Sequence, residues 1–445
     1  MFQRKLIAVL GLVALVAVTA GVSQASQSRV EGMALTVPTL SQFTDDYVNI
    51  FYYPTSVVRQ NNLVLAELGN NPGGGTAPVA FGDQSFTLIR NFPKFGVIAF
   101  QMKSSALNNS FPGNLTHEQL DAIWGKAFTK VDFAVRLDVT NSSFEYSATE
   151  GTASASVNAR GDGFSPFDPY PFGAAFFSDA IAGTGLDINT WGITPAVTIH
   201  MQNDNRFEGA VTYRKYSLDR SASDPTDLVG ASDGEKWQDD GSASYVVTAR
   251  AFMNKGDKHV WIPAGWYVND DLSWKVTGVT ATPRTADEKY KGYGVGISDN
   301  MKVNDNNLLL WGVSVSQTKH NYERTDDNDG VASGATKKEE FKTSMAPLVF
   351  AAIETDATKW LKVRIGANRA LVSTQTKFTD FGAPAFTETA KTRGSNFNFS
   401  LGTGIKWNNL DIDMTLNEAF PLSGGYILSG DTSTPFTRAS ATYHF

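Results

Sequence analysis

The chain has 445 residues, and 38 lysines and arginines against 45 aspartates and glutamates give it a formal net charge of −7. This acidic balance argues against nucleic acid as a partner, and the absence of cysteine excludes disulfides, a cysteine-linked lipid anchor and the commonest structural zinc sites. Aromatic residues make up 12% of the chain and helical leucine periodicity is nearly absent, which favours a β-barrel whose strands alternate apolar and polar faces.

The first 25 residues predict a secretory signal peptide. Two cations precede an apolar run from Leu6 to about Ala20, and Ala25 ends a triplet of small or polar residues. The run of roughly 15 residues is too short for a comfortable membrane span. We expect export through the inner membrane, cleavage after Ala25 and a mature chain that begins near Ser26.

Residues 26 to 80 do not show strand alternation, and we expect them to form a plug or a periplasmic cap ahead of a barrel of residues 81 to 445. The stretch GMALTVPTLSQFTDDYVNIFYYPTSV resembles the entry segment of the FadL-like long-chain fatty-acid transporters, where Gly-Met leads to Ala-Asp-Asp and then Asn-Pro-Ala. This chain has Tyr53, Pro54 and Thr55 at the last of these motifs. The resemblance covers some 30 residues, and it implies a 14-stranded barrel closed by its N-terminal segment and a hydrophobic substrate.

Residues 116 to 128 predict an amphipathic helix. Thr116 and Gln119 have the spacing of a capping box, and the apolar residues that follow fall near one helical face: Leu120, Ile123, Trp124 and Phe128.

Strict alternation predicts strands at residues 129 to 140, 360 to 367 and 396 to 407, and a hairpin through Asn408 and Asn409. Strand starts fall near residues 95, 129, 142, 191, 207, 243, 258, 288, 308, 339, 360, 396, 410 and 436. The sequence therefore predicts an all-β, transmembrane antiparallel barrel of about 14 strands, within a range of 12 to 16. The charged faces of these strands are predicted to line the lumen: Arg136, Lys362, Arg364, Lys406, Asp411 and Asp413.

A β-sandwich also alternates polar and apolar residues, so the connections decide between the two folds. Short turns, such as residues 254 to 257 and 408 to 409, alternate with long polar connections, such as residues 159 to 190 and 419 to 435. Outer-membrane barrels have short periplasmic turns and long external loops. We therefore expect a location in the outer membrane of a Gram-negative-type cell, with both termini in the periplasm.

The last strand ends on Phe445, with Tyr443 two residues earlier. This ending resembles the assembly signal of bacterial outer-membrane proteins, which implies the barrel-assembly machinery as a partner. Trp360 and Trp407 flank predicted periplasmic turns and are expected to join these two residues in an inner aromatic girdle at the lipid surface.

An aromatic-rich external loop lies between residues 162 and 186. Exposed apolar clusters mark binding surfaces, so the loop is a candidate site for a small hydrophobic ligand, although packing of the loop onto the barrel rim explains it equally well. Its aromatic residues are Phe164, Phe167, Tyr170, Phe172, Phe176 and Phe177.

No catalytic or cofactor motif is found. The five histidines are scattered without metal-ligand spacing, and phosphate-binding and dinucleotide-binding glycine motifs are missing. The sequence indicates neither an enzyme nor a bound cofactor or metal.

Three functions fit these features, and the oligomeric state stays open. The first is a channel or transporter for small hydrophobic compounds, which the aromatic loop and the family resemblance favour. The second is a general polar porin, which the charged lumen favours. The third is a barrel that serves as a scaffold for a surface or secretion partner.

Overall fold

The computed structural model describes residues 26–35, 40–60, 62–69, 84–106, 116–145, 184–222, 236–277, 284–326, 335–380, 386–416 and 436–445. The predicted signal peptide (1–25) and the aromatic loop residues between 164 and 177 lie outside these ranges. The predicted roles of both stretches therefore stay predictions.

In the part of the chain that the structure describes, seventeen strands form one antiparallel sheet that closes on itself. The first strand, β1, pairs with β2 on one side and with β17 on the other. Two strands, β8 and β9, both lie between β7 and β10 and together occupy one position, so the barrel is 16 strands around. In chain order the strands are β1 Leu63–Gly69, β2 Gln84–Phe92, β3 Gly96–Ala106, β4 Thr116–Ala127, β5 Val131–Glu145, β6 Thr184–His200, β7 Arg206–Ala222, β8 Lys236–Asp239, β9 Ala243–Lys255, β10 His259–Thr277, β11 Arg284–Asn304, β12 Asn307–Asp326, β13 Ala335–Asp356, β14 Leu361–Asp380, β15 Phe386–Trp407, β16 Leu410–Leu416 and β17 Phe436–His444.

The helical elements of the described residues are short. The helix α1 spans Gln27–Gly32 and begins at Ser26, whose side chain accepts a hydrogen bond from the backbone N–H of Arg29. Single 3₁₀ turns follow at Ser41–Phe43, Tyr47–Phe51 and Pro54–Arg59, and another at Gln202–Asp204. Within the described ranges no helix is both long and apolar enough to span a membrane.

The two faces of the sheet differ in chemistry. Large apolar side chains on the outer face are exposed, for example Leu137 at 52% and Val295 at 57%. The neighbouring positions point inward and are buried, and many of them are charged, such as Arg136, Asp138 and Arg250. A closed barrel with an apolar outer surface satisfies its backbone hydrogen bonds inside lipid. The protein is an outer-membrane β-barrel.

The expected range of 12 to 16 strands is confirmed, but the count of 14 is too low by two. The strands β1, β2 and β4 were missed, and the strand expected to start near residue 142 is the continuation of β5, which runs unbroken from Val131 to Glu145. Because β1 begins at Leu63, the barrel starts earlier than the expected boundary at residue 80.

The predicted helix at residues 116 to 128 is wrong, because this stretch is strand β4. Gln119, Asp121 and Ile123 point inward and are buried, whereas Leu120 and Ala122 point outward. The apolar residues fit a helical spacing and a strand spacing equally well. Pairing with β3 and β5 along the whole length of β4 supplies the backbone hydrogen bonds that decide in favour of the strand.

The connections at the two ends of the barrel differ in length. At one end, the short-turn end, hairpins close through turns such as residues 93–95, 256–258 and 408–409. At the other end, the long-loop end, strands β11 to β15 extend to lengths of 20 to 22 residues, beyond the predicted limits. Sixteen strands about 4.8 Å apart and tilted by about 40° form a cylinder roughly 30 Å across. Such a barrel has room for a folded segment inside it.

Candidate functional site: a segment docked inside the barrel

Residues 26–35 and 40–60, here called the lumenal segment, lie inside the barrel. Their contacts are with inward-facing side chains of strands from β1 round to β17. Almost every residue of the segment is buried or half-buried. The segment is therefore enclosed by the wall of the barrel.

Two inward-facing glycines bring the segment onto the wall without a gap. A Cβ added at Gly366 would lie 2.7 Å from the Cα of Met33 and closer still to its carbonyl group. A Cβ added at Gly402 would lie 2.8 Å from the Cα of Gly32. Side chains at either position would overlap the backbone of the segment, so the wall of β14 and β15 is shaped to receive it.

A first group of ion pairs, here called the β13–β14 cluster, joins the start of the segment to the wall. Arg29 donates from Nε and Nη2 to the two carboxylate oxygens of Glu354, at 2.6 and 2.9 Å, and its Nη1 contacts Asp46 of the segment. Arg364 donates to the same carboxylate at 2.6 Å and pairs with Asp413 at 2.7 Å. The buried charges compensate one another, as burial requires.

A second group, the β7–β9 cluster, holds the end of the segment. Arg59 of the segment pairs with Glu208 at 2.6 Å and with Asp45 at 3.2 Å. Arg206 and Arg250 of the wall bind Glu208, each at 2.8 Å. Arg250 also donates to the carbonyl oxygens of Gln42 and Thr44, at 3.1 and 2.7 Å. These bonds fix both the side chains and the backbone of the segment.

Asp45 contributes a negative charge to the β7–β9 cluster when its carboxyl group is ionised. Its side chain is 42% exposed, so water still reaches the carboxylate. Enclosure by the barrel opposes ionisation of the carboxyl group and raises the pKa, but the guanidinium groups of Arg59, Arg206 and Arg250 act in the opposite direction and outweigh it. The pKa of Asp45 is therefore below its ordinary value. The carboxylate stays ionised and keeps its cationic partners under mildly acidic conditions.

Further hydrogen bonds complete the attachment around the circumference. They connect wall side chains with backbone or side-chain groups of the segment at distances of 2.5 to 3.0 Å: Asn368 with Ala34, Asn300 with Phe43, Thr87 with Tyr47, Arg136 with Phe51, Thr248 with Tyr52, Thr198 with Thr55 and Thr415 with Ser28.

Apolar contacts fill the space between these polar links. One cluster packs Met33, Leu40 and Phe43 against Phe350 and Leu310, and the rings of Phe43 and Phe350 stack with centroids 5.2 Å apart. The opposite side of the barrel holds a second cluster, made by Tyr47, Ile50 and Val57 with Leu63, Leu65, Ile89, Val97, Ala99 and Ile123. The segment has a hydrophobic core in common with the wall.

The six residues predicted to line the lumen all belong to inward-facing positions of their strands. Arg136, Arg364, Asp411 and Asp413 are buried. Lys362 lies between Glu354 and Asp356, at 4.0 and 3.4 Å. Lys406 alternates with outward-facing Trp407. Sequence reasoning missed their partners in the segment, because pairing across hundreds of residues leaves no local signal.

A further lumenal group lies on the long-loop side of the segment and was not predicted. Trp266, Val246, Val268 and Tyr290 form an apolar cluster against Tyr52 of the segment. The indole of Trp266 lies across Gly292 and Gly294, where an added Cβ would meet it at 2.9 and 2.5 Å. Gly292 and Gly294 of β11 therefore form the slot for this ring.

Histidines form carboxylate pairs at the short-turn end. His200 lies 2.8 Å from Asp132, and His259 lies 2.9 Å from Asp299. The described part of the chain has no group of three or more acidic, histidine or cysteine residues that could hold a metal ion.

The C-terminal residues close the barrel. Tyr443 pairs in register with Leu410 and with Val64, and the backbone N–H of Phe445 donates to the carbonyl of Asn62 at 3.1 Å. Trp360 and Trp407 are exposed on the outer surface at the same end, at 55% and 71%. A role of Tyr443 and Phe445 in assembly stays a prediction.

No sequence-family model matches the chain, and no curated protein matches it. Among solved structures, the ferric-catecholate import receptor Fiu from E. coli K12 in its open form is similar with a TM-score of 0.37 and 8% identity, over 87% of this chain and 82% of that one. The siderophore receptor PiuA from Acinetobacter baumannii has a TM-score of 0.37 and 10% identity, over 91% and 65%. The ferric yersiniabactin uptake receptor FyuA from Yersinia pestis has a TM-score of 0.36 and 7% identity, over 86% and 80%. TM-scores and sequence identities this low support no conclusion about the substrate or mechanism of this chain. The FadL-like resemblance gains no support from these comparisons.

Proposed function

We propose that the protein is an outer-membrane transporter whose lumen is closed by the lumenal segment, and that a solute passes only when this segment moves. The observation that carries the proposal is the attachment of residues 26–60 around the inner wall by two ion-pair clusters, hydrogen bonds and shared apolar cores. A barrel roughly 30 Å across would otherwise enclose a wide aqueous passage.

Single-channel conductance in planar bilayers tests this closure. The variant lacks residues 27 to 59, which leaves β1 and the closed sheet intact. We expect the full mature chain to be silent and the deletion variant to show stable openings. Stable large openings in the intact chain would refute closure and favour the polar porin. Silence of a correctly folded deletion variant would also contradict the proposal.

A tethered variant tests movement separately from closure. The hydroxyl oxygens of Thr55 and Thr198 lie 2.7 Å apart, and the chain has no cysteine of its own. A Thr55→Cys, Thr198→Cys pair would therefore join the segment to β6 by the sole disulfide of the protein. We expect solute uptake by whole cells to stop when the pair is oxidised and to return on reduction, with each single variant as a control. Uptake that continues while the cysteine pair is oxidised would contradict displacement of the segment.

For the substrate we propose small hydrophobic compounds. The support is the cluster of Trp266, Val246, Val268, Tyr290 and Tyr52, which would offer an apolar contact on the long-loop side of the segment. Quenching of tryptophan fluorescence by an aromatic hydrocarbon, compared between the native chain and a Trp266→Leu variant, tests it. Equal quenching in both proteins would remove this site from the proposal.

A further inference from the structure

A row of cations crosses the outer surface of the barrel near the long-loop end. Lys291 of β11 lies directly opposite Lys319 of β12, and Lys319 lies opposite Lys342 of β13. The row continues through Gln375 of β14 to Lys391 of β15. Adjacent strands are about 4.8 Å apart, so three lysines stand side by side within about 10 Å.

These side chains point away from the lumen, and they follow the apolar outer band on each strand. Lys291 comes after outward-facing Tyr293 and Val295, which are 51% and 57% exposed. On β15, Arg393 and Lys391 come after Phe397, which is 68% exposed. A residue two positions further along a strand faces the same side, so the cations lie at the level where lipid tails give way to headgroups.

The carboxylates of the outer face next to the row are already paired with lysines. Asp271 of β10 lies 3.6 Å from Lys289. Lys319 pairs with Glu340 at 2.9 Å. Within the described residues no ion pair joins Lys291, Lys342 or Lys391 to a carboxylate. Like charges directly opposite one another on neighbouring strands destabilise a sheet. A row of this kind is therefore expected where an anion outside the protein neutralises it.

The cations are confined to one side of the barrel. In the same register the row continues beyond Lys291 through uncharged residues: Asn269 of β10, Tyr245 of β9, Tyr213 of β7 and Ile193 of β6. A general attraction to an anionic surface would not need such asymmetry. A localised group of lysines indicates a discrete ligand with closely spaced negative charges.

We propose that this row, Lys291, Lys319, Lys342 and Lys391 with Arg393 beside it, binds the phosphate groups of a phosphorylated glycolipid of the surrounding leaflet. The aliphatic stems of the lysines would lie along the lipid tails, and the ammonium groups would reach the phosphates. The outer surface of β11 to β15 is thus a lipid-binding face. The lumen and the lumenal segment play no part in it.

The test compares two triple variants of the full mature chain. The first replaces the row (Lys291→Gln, Lys319→Gln, Lys342→Gln), and the second makes the same charge change at the short turns (Lys130→Gln, Lys258→Gln, Lys359→Gln). Each protein is purified from outer membranes in mild detergent, and native mass spectrometry measures phosphorylated glycolipid per barrel. Binding of a diphosphorylated glycolipid and of its dephosphorylated form is then measured in neutral-lipid nanodiscs.

We expect the row variant to carry at least fivefold less glycolipid than the native chain, and the turn variant to be unchanged. A Lys→Arg triple at the row positions should retain the lipid, which separates loss of charge from faulty folding. Equal lipid in the row and turn variants would overturn the proposal, as would equal affinity for the dephosphorylated lipid. Displacement of the lipid by millimolar inorganic phosphate would also overturn it, because the row would then be a site for free anions.

Discussion

Replacement of Gly366 by alanine should release the lumenal segment while leaving the wall intact. The new methyl group would point into the lumen and overlap the backbone of Met33, whose Cα would be 2.7 Å away. Ordinary contacts of such atoms begin near 3.4 Å, so the segment must retreat. The retreat would stretch the bond from Asn368 to the carbonyl of Ala34, which is now 2.6 Å long.

The size of the effect follows from two losses. Overpacking of a well-filled contact costs about 1–3 kcal/mol, and a buried amide that loses its acceptor costs about 1–3 kcal/mol. Together they weaken docking by roughly 2–6 kcal/mol. Since about 1.4 kcal/mol is a tenfold change in an equilibrium, the undocked population should rise by about 30-fold or more.

The assay is open probability in planar bilayers, and the matched control is Gly394→Ala. Gly394 is a glycine of β15 whose added Cβ would have no atom within 4 Å, so this variant should behave as the native chain. Open probability in Gly366→Ala that equals that of both the control and the native chain would refute the close contact between segment and wall.

Three further outcomes are expected. Arg29→Met leaves Asp46 buried without its guanidinium partner, and breaking a buried pair costs about 3–5 kcal/mol. Hydrogen exchange of residues 26–60 should therefore accelerate about 100-fold or more while the strands stay protected. Uniform acceleration throughout the barrel would contradict local release of the segment. The lowered pKa of Asp45 stabilises the docked segment fully above the ordinary carboxyl pKa of about 4, and this stabilisation is lost as the pH falls through the lowered value. The channel should therefore stay closed from pH 8 to pH 5 in planar bilayers. Opening within that range would count against the β7–β9 cluster. Ala122→Arg would place a cation on the lipid face of β4 and lower barrel stability by about 2–4 kcal/mol near mid-membrane. Denaturant unfolding in lipid measures this loss. An unchanged unfolding midpoint would favour the helix first expected there, since position 122 would lie on the polar face of that helix.

Strand alternation could be recognised in the sequence wherever the inner face of a strand is polar. On β5, β14 and β16 the inward residues, such as Arg136, Arg364 and Asp413, are charged because they pair with other charges in the lumen. Their outward neighbours are apolar because they face lipid. The contrast between the two faces therefore appears in the local pattern, and these strands were predicted correctly.

The same contrast is missing on β1 and β2, and these strands were overlooked. Leu63, Leu65 and Ile89 point inward but are apolar, because they pack against the lumenal segment. Outward-facing Leu68 and Phe86 are apolar because they face lipid. A strand that is buried on one face by protein and on the other by lipid shows no alternation.

The sequence by itself determined the class of the protein, because period-two patterning and the alternation of short and long connections are local properties of the chain. Only the tertiary structure decided what fills the barrel. Arg29 and Glu354 are more than 300 residues apart in sequence, and the fit of Met33 onto Gly366 depends on two backbones whose approach no local pattern encodes. Closure of the sheet brings these groups together, so their partners follow from the geometry of the barrel.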